Sequence, residues 1–237
     1  MAAKNRFGGL IVGLVIFACA AGSLFSCGEK DPKLTASPNR TEGTGVYVIL
    51  DVSGSMEDSV PNAQGVKEGK LLIAKRAALD VCKAIDKYAQ EDKSRKIMVA
   101  VADFSDTFEL RYPMNTPDVP KMEKAINEMH TQGGTAIGDA VLAAQKDLDL
   151  SRLKHQHILV ITDGENNEGV SPEAMARAIN KLPEDLRPSV YVVAFDVNAG
   201  VFDKVKKEGW QVFSAADGKQ LQQQLDEVVG GHILIEK

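Results

Sequence analysis

Apolar and polar positions alternate along this chain between two rhythms. Val46-Tyr47-Val48-Ile49-Leu50 is an unbroken apolar run that stops at Asp51, and residues 157–162 (His-Ile-Leu-Val-Ile-Thr) form a second run that stops at Asp163. Runs this short and this apolar are expected of strands buried on both faces of a sheet. Between them lie stretches with apolar spacings of three and four. In residues 70–89, Leu71, Ala74, Ala78, Cys82 and Ile85 share one side and charges occupy the other, which predicts a helix. The same reading gives a strand at 96–104, a second at 107–112 joined to it by a tight link and ended by Pro113, and helices at 118–129 and 136–148. After the strand at 157–162 come a helix at 171–182, opened by Ser171-Pro172-Glu173, a strand at 190–195, a helix at 201–208, a strand at 210–214 and a helix at 218–229.

Buried strands alternating with amphipathic helices indicate an α/β fold, a doubly wound and mostly parallel sheet with helices on both faces. The stretch 57–69 is polar, contains Pro61, Asn62 and Gly65, and is expected to be a loop.

The N-terminus follows neither rhythm. Lys4 and Arg6 precede an almost wholly apolar or small stretch over 7–25, the pattern of a targeting segment, so residues 1–26 are expected to be a signal peptide. Leu24-Phe25-Ser26-Cys27 resembles a bacterial lipobox, with Cys27 as the residue to be lipidated. Cys19 is the alternative, but the apolar run continues past it, whereas polar residues follow Cys27. Read instead as an uncleaved anchor, the stretch approaches the ~20 residues that cross a bilayer. Either reading puts the rest of the chain outside the cytoplasmic membrane, in the periplasm or at the cell surface. Residues 27–44, with Pro32, Pro38, Gly43 and no periodicity, are expected to be a flexible tether, and residues 45–237 the folded domain. Only Cys82 then remains in the mature domain, so no internal disulfide is available, and its helical spacing makes it a small core residue.

With a length of 237 residues, one sizeable domain accounts for the chain, and a net charge of −5 argues against a nucleic-acid partner held through phosphates. The informative chemistry lies where the strands end. Asp51, Ser53 and Ser55 follow the first strand, Thr135 follows two glycines and precedes a helix, and Asp163 ends the strand after that helix. Open α/β sheets place ligands beyond the carboxyl ends of their strands. All five side chains are hard oxygen donors suited to Mg²⁺, Mn²⁺ or Ca²⁺, and none is a soft ligand. Two carboxylates and three hydroxyls leave a cation short of ligands, so water or a carboxylate from outside must complete its shell.

Asp51-x-Ser53-x-Ser55, Gly133-Gly134-Thr135 and Thr162-Asp163-Gly164-Glu165 together resemble the metal-ion-dependent adhesion site of von Willebrand factor type A domains. The resemblance covers about residues 45–230 and is most similar to bacterial type A domains of the cell envelope. It implies a six-stranded sheet whose third strand is antiparallel and at the edge. It also implies that Ser53, Ser55 and Thr135 contact the metal directly, while Asp51 and Asp163 act largely through water. The expected function is metal-dependent binding of a protein partner that supplies an acidic side chain, with Mg²⁺ the leading cation and the membrane engaged through Cys27. The alternative is a structural or regulatory scaffold in which metal only stabilises the fold. In compact relatives the first helix begins soon after the serines, so the intervening stretch 57–69 would sit on the metal face.

Rival chemistries lack their parts. A haloacid-dehalogenase phosphatase needs an aspartate where Ser53 stands, and a serine hydrolase needs Gly-x-Ser-x-Gly. A dinucleotide site needs a glycine-rich turn after the first strand, and an EF-hand needs glycine where Glu168 stands. No enzyme and no small-molecule substrate is expected. Asp139, one turn past Thr135, reads as a helix cap, and His130, His155 and His157 do not form a metal cluster.

Overall fold

The computed structural model describes residues 29–235. The signal peptide expected over 1–26 and the lipidated Cys27 lie outside the described residues.

A six-stranded sheet runs in the order β5-β4-β1-β6-β7-β8. Its strands are β1 (Thr41–Asp51), β4 (Ile97–Phe104), β5 (Phe108–Asn115), β6 (Leu153–Thr162), β7 (Ser189–Phe195) and β8 (Gln211–Ala215). All neighbours are parallel except β5, which pairs antiparallel with β4 at one edge. The expected mostly parallel, doubly wound sheet is present, antiparallel edge included. Helices α1 (Lys70–Glu91), α2 (Val119–Asn127) and α6 (Gly218–Val228) cover one face; α3 (Ile137–Ser151), α4 (Pro172–Asn180) and α5 (Asp203–Lys207) cover the other.

Strand β1 explains its own composition. Val46, Val48 and Leu50 belong to the core under α1, while Tyr47 and Ile49 belong to the core under α3 and α4. Both faces are dry, so the alternation of a half-exposed strand is absent. Each such aliphatic contributes ~1.5–3 kcal/mol on burial. The run is therefore strong enough to carry Asp51, fully buried at its end, into a place a carboxylate would not choose. On α1, burial of Ile73, Ala74, Ala77, Ala78, Val81, Cys82 and Ile85 gives the predicted stripe. The Cys82 thiol, pushed up to about 12 by burial, is an inert core group.

Three expectations need correction. Strand β5 does not end at Pro113 but continues to Asn115, because it is an edge strand and the register slips between Tyr112 and Asn115. The expected loop at 57–69 contains a hairpin, β2 (Ser59–Pro61) paired with β3 (Lys67–Gly69). Its turn is held by Asn62, whose side-chain oxygen accepts from the backbone N–H of Gln64 and of Val66, both at 3.0 Å. The hairpin rests on the start of α6, where a Cβ on Gly218 would lie 3.0 Å from the Asn62 Cα.

The flexible tether expected over 27–44 is the third. Residues 29–40 are strapped to the domain, and β1 starts at Thr41. Arg40 donates to the Leu186 carbonyl at 2.8 Å, and the Ser37 N–H donates to Asp149 Oδ1 at 2.8 Å. Leu34 packs on the core under α3. Asp31 is clamped between Arg177, 2.8 Å away, and Lys181, 2.6 Å away. Glu29 accepts from the N–H and hydroxyl of Ser171, the cap of α4.

Candidate metal site

The five oxygen-bearing residues singled out by the sequence meet at the carboxyl ends of β1 and β6. Asp51, Ser53, Thr135 and Asp163 are buried, and Ser55 is exposed at the rim. Ser55 Oγ donates to Asp163 Oδ1 at 2.6 Å and lies 3.1 Å from Ser53 Oγ. A methyl group on Gly164 would sit 3.2 Å from Thr135 Oγ1 and 3.8 Å from Asp51 Oδ2, so Thr135 and Asp51 reach the same spot.

Loop contacts fix that convergence. The Gly54 N–H donates to the Gly133 carbonyl at 3.2 Å, and Gln132 N–H to the Val52 carbonyl at 2.7 Å, joining the serine loop to the threonine loop. Gly133 adopts φ +64°, a conformation glycine reaches without strain. The Gly134 N–H donates to the Asp106 carboxylate. Thr135 N–H donates to Asn167 Oδ1 at 2.8 Å, and Asn167 N–H returns to the Thr135 carbonyl at 3.0 Å. Asp139, in the first turn of α3, accepts from Val170 N–H at 3.4 Å, so it ties down the loop after Asp163 as well as sitting at a helix start.

Asp51 Oδ1 accepts from Ser53 N–H at 2.7 Å and Oδ2 from the Thr162 hydroxyl at 2.5 Å. Burial nevertheless lifts its pKa to about 6, with these hydrogen bonds only partly opposing and the charge of Asp163 adding to the rise. Asp163 has a different companion. Lys70, buried at the first position of α1, places Nζ 2.9 Å from Asp163 Oδ2, 3.0 Å from Asp196 Oδ2 and 4.0 Å from Asp58 Oδ2. Burial pulls the Lys70 pKa down, but the hydrogen bonds to Asp163 and Asp196 outweigh it and leave the pKa raised. Asp196 reaches the ammonium from a left-handed backbone, φ +53°, at the end of β7.

The sequence reading missed Lys70, Asp196, Thr162 and Asn167. For Lys70 a signal existed: it lies three and four residues before Ile73 and Ala74, on the buried stripe of α1, and a cation at a helix start opposes the macrodipole. The left-handed turn at Asp196 left none. Asp103, His157 and His130 play no part in the convergence. Asp103 pairs with Arg111 at 2.9 Å. His157, level with Val46 in the sheet, is stacked on Tyr191 with its pKa pushed down by burial to about 3, and His130 is exposed.

The donor chemistry fits a hard divalent cation. Three hydroxyls and two carboxylates share one rim, and among the described residues no group of three or more His, Cys, Asp and Glu offers a different metal centre. Because Lys70 already balances Asp163, the charge that hydrogen bonds leave least compensated is that of Asp51.

Residues 46–166, about half of the chain, match the family model of the von Willebrand factor type A domain. No curated protein sequence matches. Among solved structures, the PilB minor pilin from Streptococcus sanguinis superposes with a TM-score of 0.65 at 15% identity, over 86% of this chain and 63% of the pilin. This chain therefore spans about three fifths of that protein. BatB from Bacteroides thetaiotaomicron gives a TM-score of 0.61 at 20% identity, over 80% of this chain and 98% of BatB. The vWF domain of the type V pili tip protein Mfa5 from Porphyromonas gingivalis gives 0.61 at 13% identity, over 83% of this chain and 97% of that domain. At these identities the likeness establishes the fold.

Proposed function

The chain belongs to the von Willebrand factor type A domain family, and we propose that it is a metal-dependent protein-binding module of the bacterial cell envelope. A divalent cation, Mg²⁺ first and Mn²⁺ or Ca²⁺ as alternatives, rests on Ser53, Ser55 and Thr135, with Asp51 and Asp163 acting largely through water. A carboxylate from a protein partner completes the shell. The observation that carries this reading is the meeting of Asp51, Thr135, Ser55 and Asp163 at a rim where Ser55 faces solvent.

Charge supports it. The donors Ser53, Ser55 and Thr135 are neutral and Asp163 shares the Lys70 ammonium with Asp196, so a divalent ion resting on the hydroxyls keeps positive charge at the open position beside Ser55. That charge attracts an anion, which is binding without bond breaking, and the module is not an enzyme. Similarity to a pilin and a pilus-tip domain fits an adhesive role outside the cytoplasm, and the presequence fits attachment to the membrane through Cys27.

Crosslinking followed by pull-down from native envelopes, in Mg²⁺ or in excess chelator, tests the reading. Partners captured in Mg²⁺ and lost in chelator, and lost also with Ser53→Ala, support it; capture that survives chelator refutes it. The Lys70–Asp163 pair, which ties the rim to α1, also favours a second reading, a structural or regulatory scaffold in which the metal only stabilises the fold. In that case Ser53→Ala leaves partner capture intact while abolishing any rise in Tm with Mg²⁺.

A further inference from the structure

The docked strap reverses the direction in which the candidate site faces. Strand β1, 11 residues long, enters the sheet at Thr41 and ends at Asp51. At ~3.3 Å per residue the two poles of the sheet are roughly 33 Å apart. Were residues 27–44 a loose tether, the membrane link would join at the Thr41 pole and the Asp51 rim would point away from the bilayer.

The strap instead climbs back toward the rim. Arg40 and Ser37 contact Asp149 near the end of α3, and the Thr35 carbonyl accepts from Gln145 one turn higher, at 3.3 Å. Asp31 is gripped by Arg177 on α4 and by Lys181 at its C-cap, and Glu29 reaches Ser171, the cap at the opposite end of that helix. Because α4 follows the loop that leaves β6 at Asp163, its first turn lies at the rim pole. Ser171 is four residues from Asn167, which is bonded to Thr135 in both directions, so the two lie within about 14 Å of each other by chain reach. Cys27 is two residues before Glu29, a reach of about 7 Å. That link is far too short to bring the Thr41 pole to the membrane while the strap is docked.

We propose that the strap holds the Asp51–Thr135 pole toward the membrane that bears the chain, so that its partner is a membrane-bound protein presenting an acidic side chain close to the bilayer surface. The orientation rests on membrane attachment through the N-terminal segment; the acidic partner rests on the proposed function above.

The test uses the full anchored chain in phosphatidylethanolamine–phosphatidylglycerol vesicles containing headgroup-nitroxide lipid, with a fluorophore on Glu165→Cys at the rim pole or Lys93→Cys at the far pole. Both positions are exposed, and Cys82 is buried away from labelling. Quenching several-fold stronger at residue 165 than at residue 93 is expected. The double variant Glu29→Ala, Asp31→Ala, which frees the strap, is expected to shrink that ratio toward one. Equal quenching in the wild type, stronger quenching at residue 93, an unchanged ratio in the double variant, or failure of the chain to associate with vesicles overturns the proposal. Metal-independent partner capture alongside stronger quenching at residue 165 would remove the metal reading and leave the orientation standing.

Discussion

Asp51 and Asp163 end adjacent strands of one sheet, both nearly out of contact with solvent, yet the protein holds them by different means. Asp51 is given only dipoles, the Ser53 N–H and the Thr162 hydroxyl, and its pKa rises to about 6. Asp163 is given an ammonium ion, Lys70, at 2.9 Å. Two hydrogen bonds do not replace the hydration a buried carboxylate loses, whereas a full opposite charge at contact largely does. The rim is thus lopsided, and a cation gains most on the Asp51 side.

Removing the ammonium breaks the comparison most severely. Lys70→Met leaves Asp163 buried without its counter-charge, and loss of one partner from a buried pair costs ~3–5 kcal/mol. Urea unfolding in chelator is expected to show a loss of that order, with Mg²⁺ recovering part of it; a change below ~1 kcal/mol would mean that Asp163 does not depend on Lys70.

The pH profile comes next. A carboxyl whose pKa is raised by folding binds its proton more tightly in the native state, so Asp51 contributes stability that is present below its ordinary value of 3.8 and lost as pH rises through about 6. At ~1.4 kcal/mol per pKa unit the swing is on the order of 3 kcal/mol. His157, pushed down to about 3, works in the opposite direction, losing stability as pH falls below its ordinary 6.5. The wild type must therefore be compared with Asp51→Asn in chelator. The stability difference between them is expected to shift in favour of the variant from pH 4 to pH 7, as measured by denaturant unfolding at each pH.

Smaller effects sharpen the same contrast. Thr162→Val deletes a donor to Asp51 in a site without solvent and is expected to cost ~1–3 kcal/mol by urea unfolding in chelator, less in Mg²⁺. Ser55→Ala removes a donor to Asp163 at an exposed position, and ~0.5–1.5 kcal/mol or less is expected, since Lys70 still satisfies the carboxylate.

The same contrast separates what the residues disclosed from what they did not. Asp51, Ser53, Ser55 and Asp163 could be placed at one end of the sheet because burial on both faces makes β1 and β6 continuous apolar runs and these donors follow directly where the runs stop; Thr135 was marked instead by the two glycines before it and the helix after it. Lys70 is not legible as part of the site, although it lies on the apolar stripe of α1, because its partners, Asp163 and Asp196, are distant in sequence. The strap escaped for a related reason. Leu34 is its main apolar anchor, and its ion pairs run to Arg177 and Lys181, about 150 residues away, a separation that local composition cannot register. The hairpin of β2 and β3 was hidden by length: three residues per strand, with only Val60 buried, give no period to detect.

The central claim, that the rim between Asp51 and Asp163 holds a divalent cation, is tested most directly by calorimetric titration of Mg²⁺ into chelator-stripped protein, wild type beside Asp51→Asn. One saturable site in the wild type, absent or at least tenfold weaker in Asp51→Asn, is the predicted result. No saturable binding in the wild type, or equal binding by the variant, would contradict it.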